Sequence, residues 1–226
     1  MKKLKILFFG RKNDYYSMKC LEHLNNLNFD ISVIWSNKRG EKLKRISDSD
    51  LDYILCHRSY FILPDTLLKL PRHYSINFHP APPSYPGSGG LNFALYNNDE
   101  KFGITIHLMN RRVDDGDIIL TKNLKIEPKD NLDSLLKKTH ELLLKSFIEF
   151  TNTLKADGHK YVKEMATKNK DVTWSKKKTK ISEVDNFQEI NRNISKTELQ
   201  KRVRAFHTSS HPLRIKIHSE KFIMKK

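Results

Sequence analysis

Apolar residues in the first two thirds of the chain fall in short dense runs separated by stretches with helical spacing. LKILFFG (4–10) has the pattern of a buried strand, Met18, Leu21 and Leu24 mark a helix, and FDISVIWS (29–36) predicts a second strand. DYILCHRS (52–59) predicts a third, followed by PDTLLKL as a short helix with Pro64 in its first turn. SINFH (75–79) is the fourth, and FGITIHLM (102–109) and DIILTKNLKI (117–126) continue the sheet. The strongest helical pattern is residues 130–155, where Leu132, Leu135, Leu136, Leu142, Leu143, Phe147, Phe150 and Leu154 share one stripe. Strands alternating with helices imply an open α/β sheet, whose ligands sit beyond the carboxyl ends of the strands.

Past about residue 160 the pattern changes to the lysine-dense tract TKNKDVTWSKKKTKISEVDNF. SKTELQKRVRAF then predicts a short helix with Ser195 and Glu198 as a capping box, and HPLRIKIHSEKFIMK a hairpin. The expected organisation is a main domain over residues 1–160 and an annex over 161–226, with Trp174 and Phe187 in the annex core.

Composition narrows the class. With 226 residues, 38% of them apolar, the chain can bury one sizeable core. No apolar run reaches the ~20 residues of a membrane span, and MKKLKILFFG passes from its basic start straight into a strand pattern rather than a signal peptide. Cys20 and Cys56 have no metal-ligand spacing, so neither a metal nor a disulfide is expected and a cytoplasmic setting is the default. The net charge of +16 points to an anionic partner. Lysine is nevertheless spread along nearly every segment, which fits a small anion at least as well as nucleic acid.

The motifs of common nucleotide and metal enzymes are missing: there is no GxGxxG after the first strand, no Gx4GK[ST] loop, no CxxC and no HExxH. His23, His57, His73, His140 and His159 stand without positioned partners and are expected at the surface or at caps. Asn77 and His79 differ. They share one strand face by the period-two rule and end a buried strand, and Asp114, in the turn RRVDDGDII, is expected on the same rim. Singly, a strand-end histidine and a DDG turn are ordinary structural features. Together, an amide, an imidazole and a carboxylate suit acyl transfer to an amine: the amide stabilises the developing oxyanion, and the other two move or orient protons.

NFHPAPPSYPG followed by FGITIHLMNRRVDDGDII resembles the folate-dependent formyltransferase family. The resemblance implies a Rossmann-like, open, mostly parallel sheet with helices on both faces, plus a small C-terminal annex of a helix and a β-hairpin. Its catalytic triad falls on Asn77, His79 and Asp114. It implies 10-formyltetrahydrofolate as formyl donor, held by Phe61, Ile62 and Leu63 and by Asn110, Arg111, Arg112 and Val113. VTWSKKKTKISEVDNF and SKTELQKRVRAFHTSSHP look like the linker and helix shared by methionyl-tRNA and sugar N-formyltransferases, and the stretch GSGGLNFALYNN looks like enzymes that formylate nucleotide-linked amino-dideoxy sugars for O-antigen and other polysaccharides, with dTDP-4-amino-4,6-dideoxyglucose the best guess. Arg11, Lys12, Asn13, Arg204 and Phe206 are the expected contacts to the nucleotide, cations for its diphosphate and a ring for its base. Family resemblance also implies a homodimer. Two alternatives remain: a methionyl-tRNA formyltransferase-like enzyme without the barrel domain those enzymes carry beyond the stretch matching residue 213, and a non-catalytic nucleotide- or nucleic-acid-binding module.

Overall fold

In the computed structural model, residues 3–44, 46, 50–218 and 220–225 are described. Arg45, Ser47, Asp48 and Ser49 of the lysine-rich stretch expected at the surface, and Ser219 of the expected hairpin, lie outside them. Six strands form the main sheet: β1 (Lys5–Arg11), β2 (Asp30–Ser36), β3 (Tyr53–His57), β4 (Tyr74–His79), β5 (Lys101–Leu108) and β6 (Ile118–Lys125), in the order β2-β1-β3-β4-β5-β6. The first three pairings are parallel and the last two antiparallel. This is the Rossmann-like, mostly parallel sheet expected, with an antiparallel edge.

Burial follows the strand period. Ile6, Phe8, Tyr53, Leu55, Ile76, Phe78, Ile104 and Ile106 form one core with α1 (Tyr15–Asn26), α4 (Leu132–Asp157) and α5 (His159–Lys168). Leu7, Phe9, Ile54 and Cys56 face the other way, onto α2 (Asp65–Leu68). Full burial of each large side chain contributes about 1.5–3 kcal/mol, so the central strands hold the sheet from both faces. The helix α4 starts at a capping box in which Asn131 and Ser134 exchange backbone and side-chain bonds at 3.0 Å. Its buried stripe is Leu135, Leu143, Phe147, Phe150 and Leu154, whereas Leu136, expected on that stripe, is exposed. Met18 of α1 is also exposed, and Pro64 sits at the N-cap of α2 rather than inside its first turn.

The helix α3 (Gly90–Asn97), not anticipated from the pattern, follows β4 and receives the annex. Leu91, Ala94 and Leu95 share a core with Val184 of α6 (Ile181–Gln188), with Ala205 and Phe206 of α7 (Lys196–Phe206), and with Leu213. At the start of α7, Ser195 Oγ accepts from Glu198 N, but the Glu198 carboxylate turns to Arg202 and Tyr96, so only half of the expected box forms. The expected hairpin is β8 (Arg214–Ile217) with β9 (Glu220–Ile223), and a short strand, β7 (Glu189–Ile190), adds to it in parallel. Among the described residues, no helix is long and apolar enough to cross a membrane.

Candidate active site

Asn77 and His79 lie on one face of β4, and the antiparallel register sets Asn77 directly opposite His107 and His79 opposite Thr105. Because β5 runs back along β4, the β5–β6 turn begins beside Ile76, at the far end of β4 from His79. Asp114 is therefore not on the same rim, as expected from sequence; the turn brings it back across the sheet face. Two backbone features allow that course. Asp114 itself takes a left-handed conformation (φ 46°), a strained choice for a residue with a side chain. A Cβ at Gly116 would lie 1.9 Å from the Leu108 carbonyl oxygen, so only glycine fits there.

The carboxylate ends beside both imidazoles, with Oδ1 3.4 Å from His79 Nδ1 and 3.5 Å from His107 Nε2, while Oδ2 accepts the Gly87 N–H at 2.8 Å. His79 and Asp114 are only 6% and 5% exposed. Burial disfavours the Asp114 charge, but His79, His107 and the Gly87 N–H outweigh it and hold the carboxyl far below its ordinary range. Burial also lowers the His79 pKa, opposed by Asp114 and reinforced by His107, so at neutral pH the ring is an uncharged base beside an anion. His79 Nε2 lies 3.4 Å from the Tyr85 carbonyl oxygen. Both ring nitrogens thus face acceptors, an arrangement that stabilises the imidazolium once a proton arrives.

His107 was missed by sequence reasoning. Its Nδ1 lies 2.8 Å from the Leu108 carbonyl, which can only accept, so that nitrogen carries the proton and Nε2 is free to accept from Asn77 Nδ2 at 3.1 Å. The contact fixes which way the Asn77 amide points and leaves its second N–H for a ligand. A signal existed: His107 interrupts an apolar strand on the same alternation as Thr105, but which strand it would oppose depended on an unknown register. Trp174 was also misassigned. Rather than filling the annex core, its indole packs edge-on against His79 and His107 at centroid distances of 5.7 and 4.9 Å. Phe187 does stack on Phe206 in the annex, at 5.0 Å.

A cleft of about 530 Å³ adjoins these groups. Its walls include Phe61, Ile62 and Leu63, the turn from Asn110 to Val113, and Leu132 and Leu136 of α4, which explains the exposure of Leu136. Arg11, Arg39, Arg58 and Tyr60 also line it. The Arg11 guanidinium lies 4.0 Å over the Tyr60 ring and that of Arg39 5.5 Å, while Arg11 Nε donates to the Arg58 carbonyl. Arg58 pairs with Asp14 at 3.0 Å and donates to His140. Burial, and then the nearby Arg58 charge, lower the Arg11 pKa, the mark of a cation short of counter-charge.

Other sequence-based expectations do not meet the cleft. Lys12 and Asn13 are exposed outside its walls. Phe206 is fully buried in the annex core and cannot offer a face to a base. Arg204 donates to the Asp130 carbonyl at 2.8 Å and to Asn98 Oδ1 at 2.9 Å, clamping the annex to the main sheet rather than binding phosphate. His57 and His140, expected at the surface or at caps, are both buried. No cluster of potential metal ligands occurs among the described residues.

Comparison with known proteins adds an independent line. Residues 9–151 match the family described as formyl transferase. The methionyl-tRNA formyltransferase of Ehrlichia canis (strain Jake) is 30% identical over 128 residues, 56% of this chain and 42% of that protein, so the match takes in less than half the length of such relatives. The fold is shared with a sugar N-formyltransferase from Shewanella sp. FDAARGOS_354 (TM-score 0.73, 16% identity, 99% of this chain and 97% of that one). It is shared too with an N-formyltransferase from Helicobacter canadensis solved with folinic acid and dTDP-3-aminofucose (TM-score 0.70, 16% identity, 96% and 85%).

Proposed function

The chain belongs to the formyl transferase family, and from that premise we propose that it transfers a formyl group from 10-formyltetrahydrofolate to the amino group of a nucleotide-linked amino-dideoxy sugar. The observation that carries the proposal is a single cleft with acyl-transfer groups at Asn77, His79 and Asp114 and partly buried arginines, Arg11 and Arg58, in its wall.

The residues present fit a folate. The cleft is of ligand size, and Ile62 and Val113, at 76% and 49% exposure, offer apolar surface on its two sides. Phe61, Ile62 and Leu63 would hold the donor from one side and Asn110, Arg111, Arg112 and Val113 from the other. When bound, 10-formyltetrahydrofolate supplies an activated formyl carbon. The free N–H of Asn77 then stabilises negative charge on the formyl oxygen, typically a factor of about 100 to 1,000 in rate. His79, neutral at rest, would take the attacking amine's proton at Nε2, in place of its 3.4 Å approach to the Tyr85 carbonyl, and pass it to the folate nitrogen released as the bond to the formyl carbon breaks, while Asp114 beside Nδ1 orients the ring and stabilises it once charged. No side-chain nucleophile is needed, because the amine itself attacks.

Arg11 and Arg39, both of which lie over the Tyr60 ring, suit the diphosphate of a nucleotide. The leading acceptor is dTDP-4-amino-4,6-dideoxyglucose. An assay with 10-formyltetrahydrofolate and a panel of dTDP- and UDP-linked amino sugars, read by mass spectrometry, should yield one formylated product. A second candidate acceptor is methionyl-tRNA, favoured by the names of relatives at about 30% identity and by the +16 charge. Formylation of initiator tRNA, with binding that weakens steeply as salt rises and no sugar accepted, would overturn the sugar assignment. A homodimer is also proposed, supported by Phe222 and Ile223 exposed on the edge strand β9; light scattering at assay concentration tests it.

A further inference from the structure

The segment between α5 and α6 fastens the two loops that build the site. Ser175 N donates to the Pro83 carbonyl at 2.8 Å, and Thr179 exchanges backbone bonds with Pro86 and Ser88 at 2.9 Å each. These bonds hold the loop that contributes the Gly87 N–H to Asp114 and the Tyr85 carbonyl to His79. Lys178 Nζ reaches the Val113 carbonyl, next to Asp114. Trp174 makes the most direct contact: its Nε1–H donates to the Gly116 carbonyl at 2.8 Å while its ring edges meet both imidazoles.

Behind the indole lies a second cavity of about 710 Å³, bounded by Tyr74, Asp115, Gly116, Lys163, Asn169 and Trp174 itself. It shares Arg112 with the cleft but contains neither His79 nor His107. The indole thus lines that space and also touches the two rings, which the space itself does not reach.

We propose that Trp174 is a positioning residue for the His79–Asp114 pair, shielding the imidazoles from the rear cavity and pinning the carbonyl of Gly116, two residues beyond Asp114. The two functions are separable. A phenyl ring at this position keeps an edge against the imidazoles but has no N–H for Gly116. An alanine has neither. The proposal rests on formyl transfer being the reaction, yet its first test needs no substrate.

In 15N-histidine-labelled protein, with His79→Gln to assign the signal, the His79 titration midpoint is followed by NMR. Trp174→Ala should raise it, because water reaching the ring removes the burial that lowers it while Asp114 still attracts a proton and His107 remains in place. Trp174→Phe should leave it near the wild-type value. In steady-state assays, Trp174→Ala should lower kcat by about 100-fold, as expected for misplaced reacting groups. Trp174→Phe should lower it by about 10-fold, with the amine KM within about twofold in both. An unchanged His79 midpoint in Trp174→Ala refutes the shielding role. Wild-type kcat in Trp174→Phe refutes the Gly116 tether, and remains decisive if the alanine variant does not fold. If wild-type protein formylates nothing, the reaction assignment fails, while the NMR midpoints still decide whether Trp174 governs His79.

Discussion

β3 and β4 are neighbouring parallel strands, and each ends on a buried histidine. His57 pairs in register with Phe78, one residue short of His79. That offset of one places the two rings on opposite faces of the sheet, since side chains alternate with period two. His57 turns with Tyr53 and Leu55 toward α4, its ring edge against Phe147 at 5.7 Å, and Ser17 Oγ lies 3.3 Å from its Nδ1. Burial and then Arg58 push its pKa down to about 3. His79 turns with Asn77 to the cleft side and meets a carboxylate. Both rings are neutral at physiological pH, but His79 has a carboxylate beside its ring nitrogen, whereas the attraction of Asp14 for a proton on His57 is outweighed by burial and Arg58. A strand-end histidine becomes a candidate catalyst through what converges on it, not through its place on the strand.

The largest effect should separate the two rings outright. His79→Ala is expected to lower kcat about 1,000-fold or more with the fold retained, and Asp114→Asn nearly as much. His57→Ala should leave kcat within about threefold while costing about 2 kcal/mol in stability. Comparable kcat losses in His57→Ala and His79→Ala, in protein with native circular dichroism, would erase the distinction.

The arginine wall of the cleft gives the next contrast. Arg11→Ala should raise the KM for the proposed nucleotide-sugar acceptor by about 10- to 100-fold, the loss of one or two charge-assisted bonds, with kcat little changed. A fall in kcat at constant KM would place Arg11 in the chemical step instead.

The pH profile sharpens the comparison further. Since burial sets the His79 pKa below 6.5, the acid limb of kcat/KM should fall below pH 6.5. In whatever activity Asp114→Asn retains, the limb should move lower still, because the substitution removes an attraction that raises the pKa and leaves burial in place. A limb at or above 6.5 would mean that the ring is more hydrated than its surroundings indicate.

The smallest effect concerns stability. The unfolded chain protonates His57 near its ordinary 6.5, whereas the folded chain resists until about 3. Below 6.5 the unfolded state therefore binds more protons, and stability falls as pH falls. Replacing the ring by His57→Leu should recover about 2 kcal/mol of the loss between pH 7 and pH 5, measured by urea unfolding. An identical pH dependence in variant and wild type would exclude His57 as its source.

The six strands of the main sheet were legible because each is a short apolar run, and α4 because its stripe persists over many turns. Asn77, His79 and Asp114 were legible as residue types in a recognisable order. His107 was not, because its importance comes from lying opposite Asn77 across an antiparallel pair. Phe206 and Arg204 looked like nucleotide contacts while their burial and backbone partners were unknown. Trp174 looked like annex core because nothing local indicates that its segment returns to the site.

Local pattern by itself determined where the six main strands and the helices α1, α2, α4 and α7 form, though not α3, α5 or α6, and that an amide, an imidazole and a carboxylate were available for chemistry. Only the tertiary structure decided that β5 runs antiparallel to β4, that the turn after β5 folds back to deliver Asp114, and that Trp174 closes the rear of the site. Periodicity is a property of neighbours along the chain. Register, loop course and burial depend instead on contacts between residues far apart in sequence, and it is those contacts that set the distances and charges on which catalysis rests.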